Sequence, residues 1–97
     1  MNTEAIVAPW AHDELQLMGI ELGDTVDFAD ENCHVGHGVI IMLNKMIIYV
    51  LLDNDEVIKF GRTTLTSLSG KWELLGLSEK QIRISADRWK KAKNTII

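Results

Sequence analysis

The sequence has few cysteines and prolines and no long apolar run. Its 97 residues include one cysteine, Cys33, and one proline, Pro9. A single cysteine cannot form a disulfide within the chain, which favours a reducing compartment, and we expect the cytoplasm. The longest apolar runs, 39–43 and 46–52, are far shorter than the roughly 20 residues of a membrane-spanning helix. No Lys or Arg precedes an apolar run at the start, so we expect no secretory signal and no membrane partner.

Lys and Arg are missing from the first 44 positions. That stretch holds eight acidic residues, whereas residues 45–97 hold ten basic and six acidic ones, for a net charge of -4. Six of the ten basic residues fall within the last 18 positions. A chain with this charge separation can pair its own halves or use each half on a different partner.

The apolar residues are concentrated in the middle of the chain. Hydrophobic residues make up 46% and charged residues 25% of the sequence, which indicates one folded domain over residues 1–97. Runs 39–43 and 46–52 predict two strands joined by a turn at Asn44-Lys45, and 53–56 predicts a second turn. Because both runs are apolar nearly throughout, we expect both of their faces to be covered, one by the core and the other by a helix or a second subunit.

The flanking segments predict further elements at both ends. Apolar spacing after Pro9 predicts a helix over about 10–18 that ends at Gly19. Ser85 is a good N-cap for a helix over about 85–94, with Trp89 as its main packing residue. The remaining predictions are strands at 22–28, 57–60 and 71–76, and a polar loop at 29–38. For 78–85 both helix and strand stay open, because a capping-box pattern competes with alternating Ile82 and Ile84.

Four features of this pattern resemble one family. They are the opening strand Gly23-Asp24-x-Val26-x-Phe28, the glycine-led strand from Gly38, the strand ending in 52–56, and a short strand reaching Leu65. Together they resemble the small SH3-like barrels of the KOW and Tudor-like type over about residues 22–75. With the terminal helices added, we predict a mainly β (α+β) fold: a small five-stranded SH3-like barrel with a short N-terminal helix and a C-terminal helix. The resemblance implies a binding module more than an enzyme. The chain departs from the family pattern in its apolar hairpin and in lacking a basic loop beside the opening strand.

Cys33, His34 and His37 are close together in the sequence and include the two best zinc-binding residue types. Adjacent Cys33 and His34 cannot easily share one ion, and His12 is the one distant candidate. The same residues could form a Cys/His nucleophile pair, but no oxyanion donor or third orienting group can be identified. We therefore favour a polar loop and expect no metal, no cofactor and no catalytic residue.

Acidic residues near the opening strand form the first candidate partner-binding set: Asp24, Asp27, Asp30 and Glu31. One interpretation is a carboxylate cluster for catalysis or a divalent metal, although strand alternation would put Asp24 and Asp27 on opposite faces. A second is a solvated acidic edge that discourages aggregation. A third is a surface that engages a basic partner or imitates nucleic-acid phosphates.

The basic C-terminal segment supplies the second candidate set: Arg88, Trp89, Lys90 and Lys91. Basic residues with an aromatic ring are typical of single-stranded nucleic-acid binding. A sequence pI of about 5.2 is low for a dedicated nucleic-acid binder, and a tryptophan is more often a packing residue or a protein-interface anchor.

These patterns favour a non-enzymatic protein-interaction or regulatory module, such as an inhibitor or adaptor, that binds through its acidic half or its apolar hairpin. The alternative is a nucleic-acid-associated regulator that uses the basic Trp-containing segment. A small hydrolase or metal-binding enzyme is third. We expect a protein partner, and a homodimer if a second subunit covers the hairpin.

Overall fold

The structure is a computed structural model and describes residues 19–96. The elements are β1 (Thr25–Ala29), β2 (Val35–Leu43), β3 (Ile47–Leu51), β4 (Val57–Gly61), β5 (Glu73–Leu77) and α1 (Ala86–Ile96). The prediction of a mainly β fold with five antiparallel strands and a C-terminal helix is confirmed. The N-terminal helix predicted over 10–18 lies outside the described residues. No helix within 19–96 is long and apolar enough to cross a membrane.

The five strands form one antiparallel sheet in the order β4-β3-β2-β1-β5. The segment between β4 and β5 touches both of these outer strands, through isolated bridges from Phe60 to Ser67 and from Thr66 to Glu73. The sheet therefore curls into a half-barrel around a core that contains Phe28 and Phe60, whose ring centroids are 5.8 Å apart.

Strand β1 begins later than the sequence pattern predicts. Residues 21–24 form a turn in which the Asp24 N–H donates to the Glu21 carbonyl at 3.1 Å, and the Asp24 carboxylate accepts the Glu21 N–H at 2.8 Å. Gly23 has a φ of 92°, a left-handed conformation that favours glycine. The predicted strand over 22–28 is therefore a turn followed by Thr25–Ala29.

The prediction of a polar loop over 29–38 is wrong for the second half of that range, because β2 begins at Val35. Gly36 and Gly38 lie inside the strand, where they make room for close neighbours: a Cβ on Gly36 would lie 2.5 Å from a ring carbon of Phe28. The true turn is 30–34, and the Asp30 carboxylate accepts the N–H groups of Asn32 and His34 at 2.9 Å each.

The central hairpin is present, and its turn is shifted by one residue. The Asn44 N–H donates to the Ile47 carbonyl at 3.0 Å, so Lys45 and Met46 are the two central residues of the turn, rather than Asn44 and Lys45. The Asn44 side-chain oxygen accepts the N–H groups of Met46 and Ile47, an Asx-type arrangement in a turn that has no glycine.

Both faces of the hairpin are covered, as its composition predicts. Ile40 and Val50 form a pair across β2 and β3 and belong to the main core cluster. Ile41 and Leu51 belong to a second cluster with Ala92 of α1, against which Trp89 packs. Within the described chain it is therefore the helix that contacts the second face of the hairpin.

The segment from 78 to 85 is neither helix nor strand and ties α1 to β1. The N–H of Ser78 donates to the carbonyl of Thr25, and the N–H of Ile82 donates to the Thr25 hydroxyl, each at 2.9 Å. The predicted helix cap is confirmed, because the Ser85 hydroxyl accepts the Arg88 N–H at 3.2 Å.

Candidate binding groove on helix α1

Trp89 is held in one position by three sets of contacts. Its indole N–H donates to the carbonyl oxygen of Ile41 at 3.0 Å, and its ring packs against the second hydrophobic cluster. Gly23 adjoins the far edge of the ring, since a Cβ built there would lie 3.7 Å from Cη2. The ring is half-buried, so part of it remains available to a ligand.

A groove of about 470 Å³ runs along α1 beside this tryptophan. Its lining residues share one stripe of the helix, at spacings of three and four positions: Ala86, Trp89, Lys90, Lys93 and Asn94. All but Trp89 are exposed. The groove therefore combines an apolar wall, made by the indole and the Ala86 methyl group, with two ammonium groups. The groove is open to solvent, because four of its five lining residues are exposed.

The predicted basic set does not form one site. Trp89 and Lys90 line the groove, whereas Arg88 attaches the helix to the β3–β4 turn. Its Nε donates to Asp55 at 2.8 Å and a terminal nitrogen donates to the Leu52 carbonyl at 3.0 Å. Lys91 is exposed and does not line the groove.

Lys93 and Asn94 are lining residues that our sequence analysis did not select. Helical spacing could have identified them. Residues three or four positions apart share a face of a helix, and Lys93 is three residues after Lys90 and four after Trp89.

The predicted acidic set is also divided. Asp24 and Asp30 each organise a turn at an end of β1, and their carboxylates accept backbone N–H groups. The hydrogen bonds from the N–H groups of His34 and Asn32, together with the side chain of His34, hold the pKa of Asp30 below its ordinary value. Glu31 is exposed, and Asp27 alone of the four lies in a strand.

Asp27 and His37 form a pair that our sequence analysis missed. They are Cα partners in the β1–β2 register, and the His37 Nδ1 is 2.5 Å from an Asp27 carboxylate oxygen. Burial raises the pKa of Asp27, but the hydrogen bonds from Ser78 and His37, with the charges of His37 and Lys80, outweigh it and lower the pKa overall.

The Asp27–His37 pair resembles two-thirds of a hydrolytic triad, and the third member is misplaced. A nucleophile would have to face the other ring nitrogen of His37, whereas the hydroxyl of Ser78 lies on the side of the Asp27 carboxylate, whose pKa it helps to lower. Within residues 19–96 we find no nucleophile, base and orienting group in the required order. The hydrogen bond of this pair joins β1 to β2.

The sequence motif of Cys33, His34 and His37 does not come together as a metal site in the described structure. His34 contacts Asp30 at 3.2 Å, His37 contacts Asp27, and Cys33 is exposed in the turn. Among residues 19–96 no group of three His, Cys, Asp or Glu side chains is placed to hold an ion. The remaining candidate, His12, lies outside the described residues.

Comparisons of the chain with models of protein families, with curated proteins and with solved structures find no match.

Proposed function

We propose that the chain is a non-enzymatic protein-interaction module that acts as a regulator, either an inhibitor or an adaptor. The observation that carries this proposal is the groove on α1, in which Trp89 is fixed by its bond to Ile41 and flanked by Lys90 and Lys93. Part of the Trp89 ring stays exposed beside these lysines, and tryptophan is a residue type that is enriched at protein interfaces.

The two surfaces that the sequence favoured are less suited to this role. The hairpin residues Ile40, Ile41 and Val50 have no solvent exposure, because the core and the second cluster cover them. The carboxylates of Asp24 and Asp30 are bonded to their own turns. The proposal therefore moves the contact surface to α1 and does not require a second subunit over the hairpin.

The SH3-like barrel of the KOW and Tudor-like type remains our proposal for the family. The curled five-stranded sheet supports it, and the resemblance implies a binding module. We also propose a cytoplasmic location, because Cys33, the one cysteine of the sequence, is exposed and has no second cysteine to pair with.

Site-specific photo-crosslinking in the native host tests the proposal. A photoreactive residue replaces Asn94 in the groove, and in a matched chain it replaces Met46 at the exposed hairpin tip. We expect a discrete protein adduct from position 94 that is absent from position 46 and is lost with Lys90→Ala/Lys93→Ala. Equal adducts from both positions, or none from position 94, would contradict the proposal.

The alternative function is a nucleic-acid-associated regulator. It is favoured by the closeness of Lys90, Lys91 and Lys93 on the exposed side of α1, next to an aromatic ring. The same experiment separates the two functions, because an adduct that nuclease removes and protease does not would support this alternative.

A further inference from the structure

We infer that the groove on α1 binds a short acidic protein segment that carries an apolar side chain between carboxylates. This inference rests on the proposed function and adds the chemistry of the partner. It follows from the lining of the groove, from the position of the acidic turn beside Trp89, and from the distribution of ion pairs in the described chain.

The groove presents an apolar surface and a cationic rim side by side. The Ala86 methyl group and the Trp89 ring can bury an aliphatic or aromatic side chain, and Lys90 and Lys93 can bind carboxylates next to it. The two lysines are separated by about 4.5 Å along the helix axis. Carboxylates three positions apart on a partner helix match this separation.

These two lysines are not neutralised within the described part of the chain. The ion pairs of residues 19–96 involve Asp27, Asp30 and Asp55, and none of them reaches Lys90 or Lys93. The nearby cation Arg88 is bound to Asp55, so it holds the helix in place and does not compete for a ligand. Lys90 and Lys93 can therefore both contribute to binding an anionic segment.

The surroundings favour a protein segment over a nucleic-acid strand. The turn that carries Glu21 and Asp24 adjoins the far edge of Trp89 through Gly23. Carboxylates this close to Trp89 disfavour a continuous phosphate backbone laid along the ring, whereas a short segment has few charges and can place them on the lysines. The net charge of -4 also opposes a long polyanion.

Fluorescence anisotropy of labelled peptides with the full-length chain tests this inference. The probe is a synthetic peptide with Leu between Asp residues; one control peptide has Gly in place of Leu, and another has Lys in place of Asp. We expect the probe to bind, the Gly peptide to bind roughly tenfold more weakly, and the Lys peptide not to bind. Lys90→Ala/Lys93→Ala should weaken probe binding about tenfold.

A charge-matched variant separates a specific site from general attraction. Lys45→Ala/Lys71→Ala also removes two exposed lysines, neither of which lines the groove, and should change the affinity no more than about twofold. An equal loss in both variants, tighter binding of an oligothymidylate of the same charge, or no binding of the probe would overturn the inference.

The outcomes of the two experiments can be told apart. If the peptide fails to bind while position 94 crosslinks to a discrete protein, the inference of an acidic partner segment is wrong. The proposal of a protein-interaction module is then unaffected. If the peptide fails to bind and position 94 captures nothing, the proposed function is wrong as well.

Discussion

The indole N–H of Trp89 donates a hydrogen bond of 3.0 Å to the carbonyl oxygen of Ile41, 48 positions earlier in the chain. Ile40 pairs with Val50 and Met42 pairs with Tyr49, so Ile41 is an extra residue at a β-bulge. A bulge takes the extra residue out of the regular ladder, which leaves its carbonyl able to accept a side-chain donor. This irregularity of β2 therefore fixes one wall of the groove on α1.

Replacement of the Trp89 indole tests the importance of that bond. Trp89→Phe keeps an aromatic ring but leaves the Ile41 carbonyl without its donor, so we expect a loss of about 1–2 kcal/mol in the free energy of unfolding. Urea denaturation measures it. Trp72→Phe is the matched control, because Trp72 packs edge-on against Phe28 and its indole makes no hydrogen bond within residues 19–96. An equal or larger loss in the control would show that the bond contributes little.

Gly38 should not tolerate a side chain. A Cβ there would collide with Val50, which is fully buried, and would lie 2.9 Å from the carbonyl oxygen of Leu51. We expect Gly38→Ala to lower the free energy of unfolding by about 2–3 kcal/mol, because the core cannot expand to accept it. Gly70→Ala is the control: nothing lies within 4 Å of its Cβ, and its φ of 81° should cost only about 1 kcal/mol. Thermal denaturation that ranks the two in the opposite order would contradict the close packing.

Acid should destabilise the fold in part through Asp27 and Asp30. Both pKa values are lowered from 3.8 in the folded chain. As the pH falls towards that value, the unfolded chain therefore binds more protons than the folded chain does. Their contribution is complete above the pKa of the unfolded chain and is lost as the pH falls through the folded pKa. Asp27→Asn should therefore reduce stability at neutral pH and flatten its decline as the pH falls below the ordinary pKa of an aspartate.

The acid effect has a neighbouring control. Glu31 is exposed and its carboxylate accepts no hydrogen bond in the part of the chain that the structure describes, so Glu31→Gln should keep the wild-type slope. Denaturation at a series of pH values gives both slopes. An Asp27→Asn chain that declines as steeply as the wild type would show that the hydrogen bond with His37 does not favour the charged carboxylate.

The ion pair between Arg88 and Asp55 should couple α1 to the β3–β4 turn by a small amount. Its side chains are 35% and 71% exposed, so solvent weakens it, and a double-mutant cycle with Arg88→Gln and Asp55→Asn should give about 0.2–1 kcal/mol. Arg88→Gln alone should cost more than Asp55→Asn alone, because it also loses the bond to the Leu52 carbonyl. High salt should shrink the coupling, and coupling that is absent at low salt would contradict the pair.

Local patterns in the sequence predict most of the elements. Three of these patterns depend only on near neighbours in the chain: the alternation of Val26 and Phe28, the two apolar runs of the hairpin, and Ser85 as a helix cap. Each corresponds to an element or a cap in the fold. The apolar surplus of the hairpin also predicts a cover, which α1 provides through Trp89 and Ala92.

Contacts between distant residues could not be predicted in the same way. Gly36 and Gly38 suggest a loop by composition, yet they lie in β2 because Phe28 and Val50 occupy the space that their side chains would need. The Asp27–His37 pair depends on the register of β1 with β2. The bulge at Ile41 depends on how β2 meets β3, and the position of Trp89 follows from it.

Reversal of the charges on the groove tests the central claim most directly. Lys90→Glu/Lys93→Glu changes two exposed side chains on α1 and leaves the Trp89 wall in place. Anisotropy titration measures the affinity for two peptides, the acidic one with Leu between Asp residues and the basic one with Lys in place of Asp. We expect this variant to lose its affinity for the acidic peptide and to bind the basic one. Lys45→Glu/Lys71→Glu should keep the wild-type preference for the acidic peptide. A reversed groove that still binds the acidic peptide, or a control variant that switches equally, would contradict it.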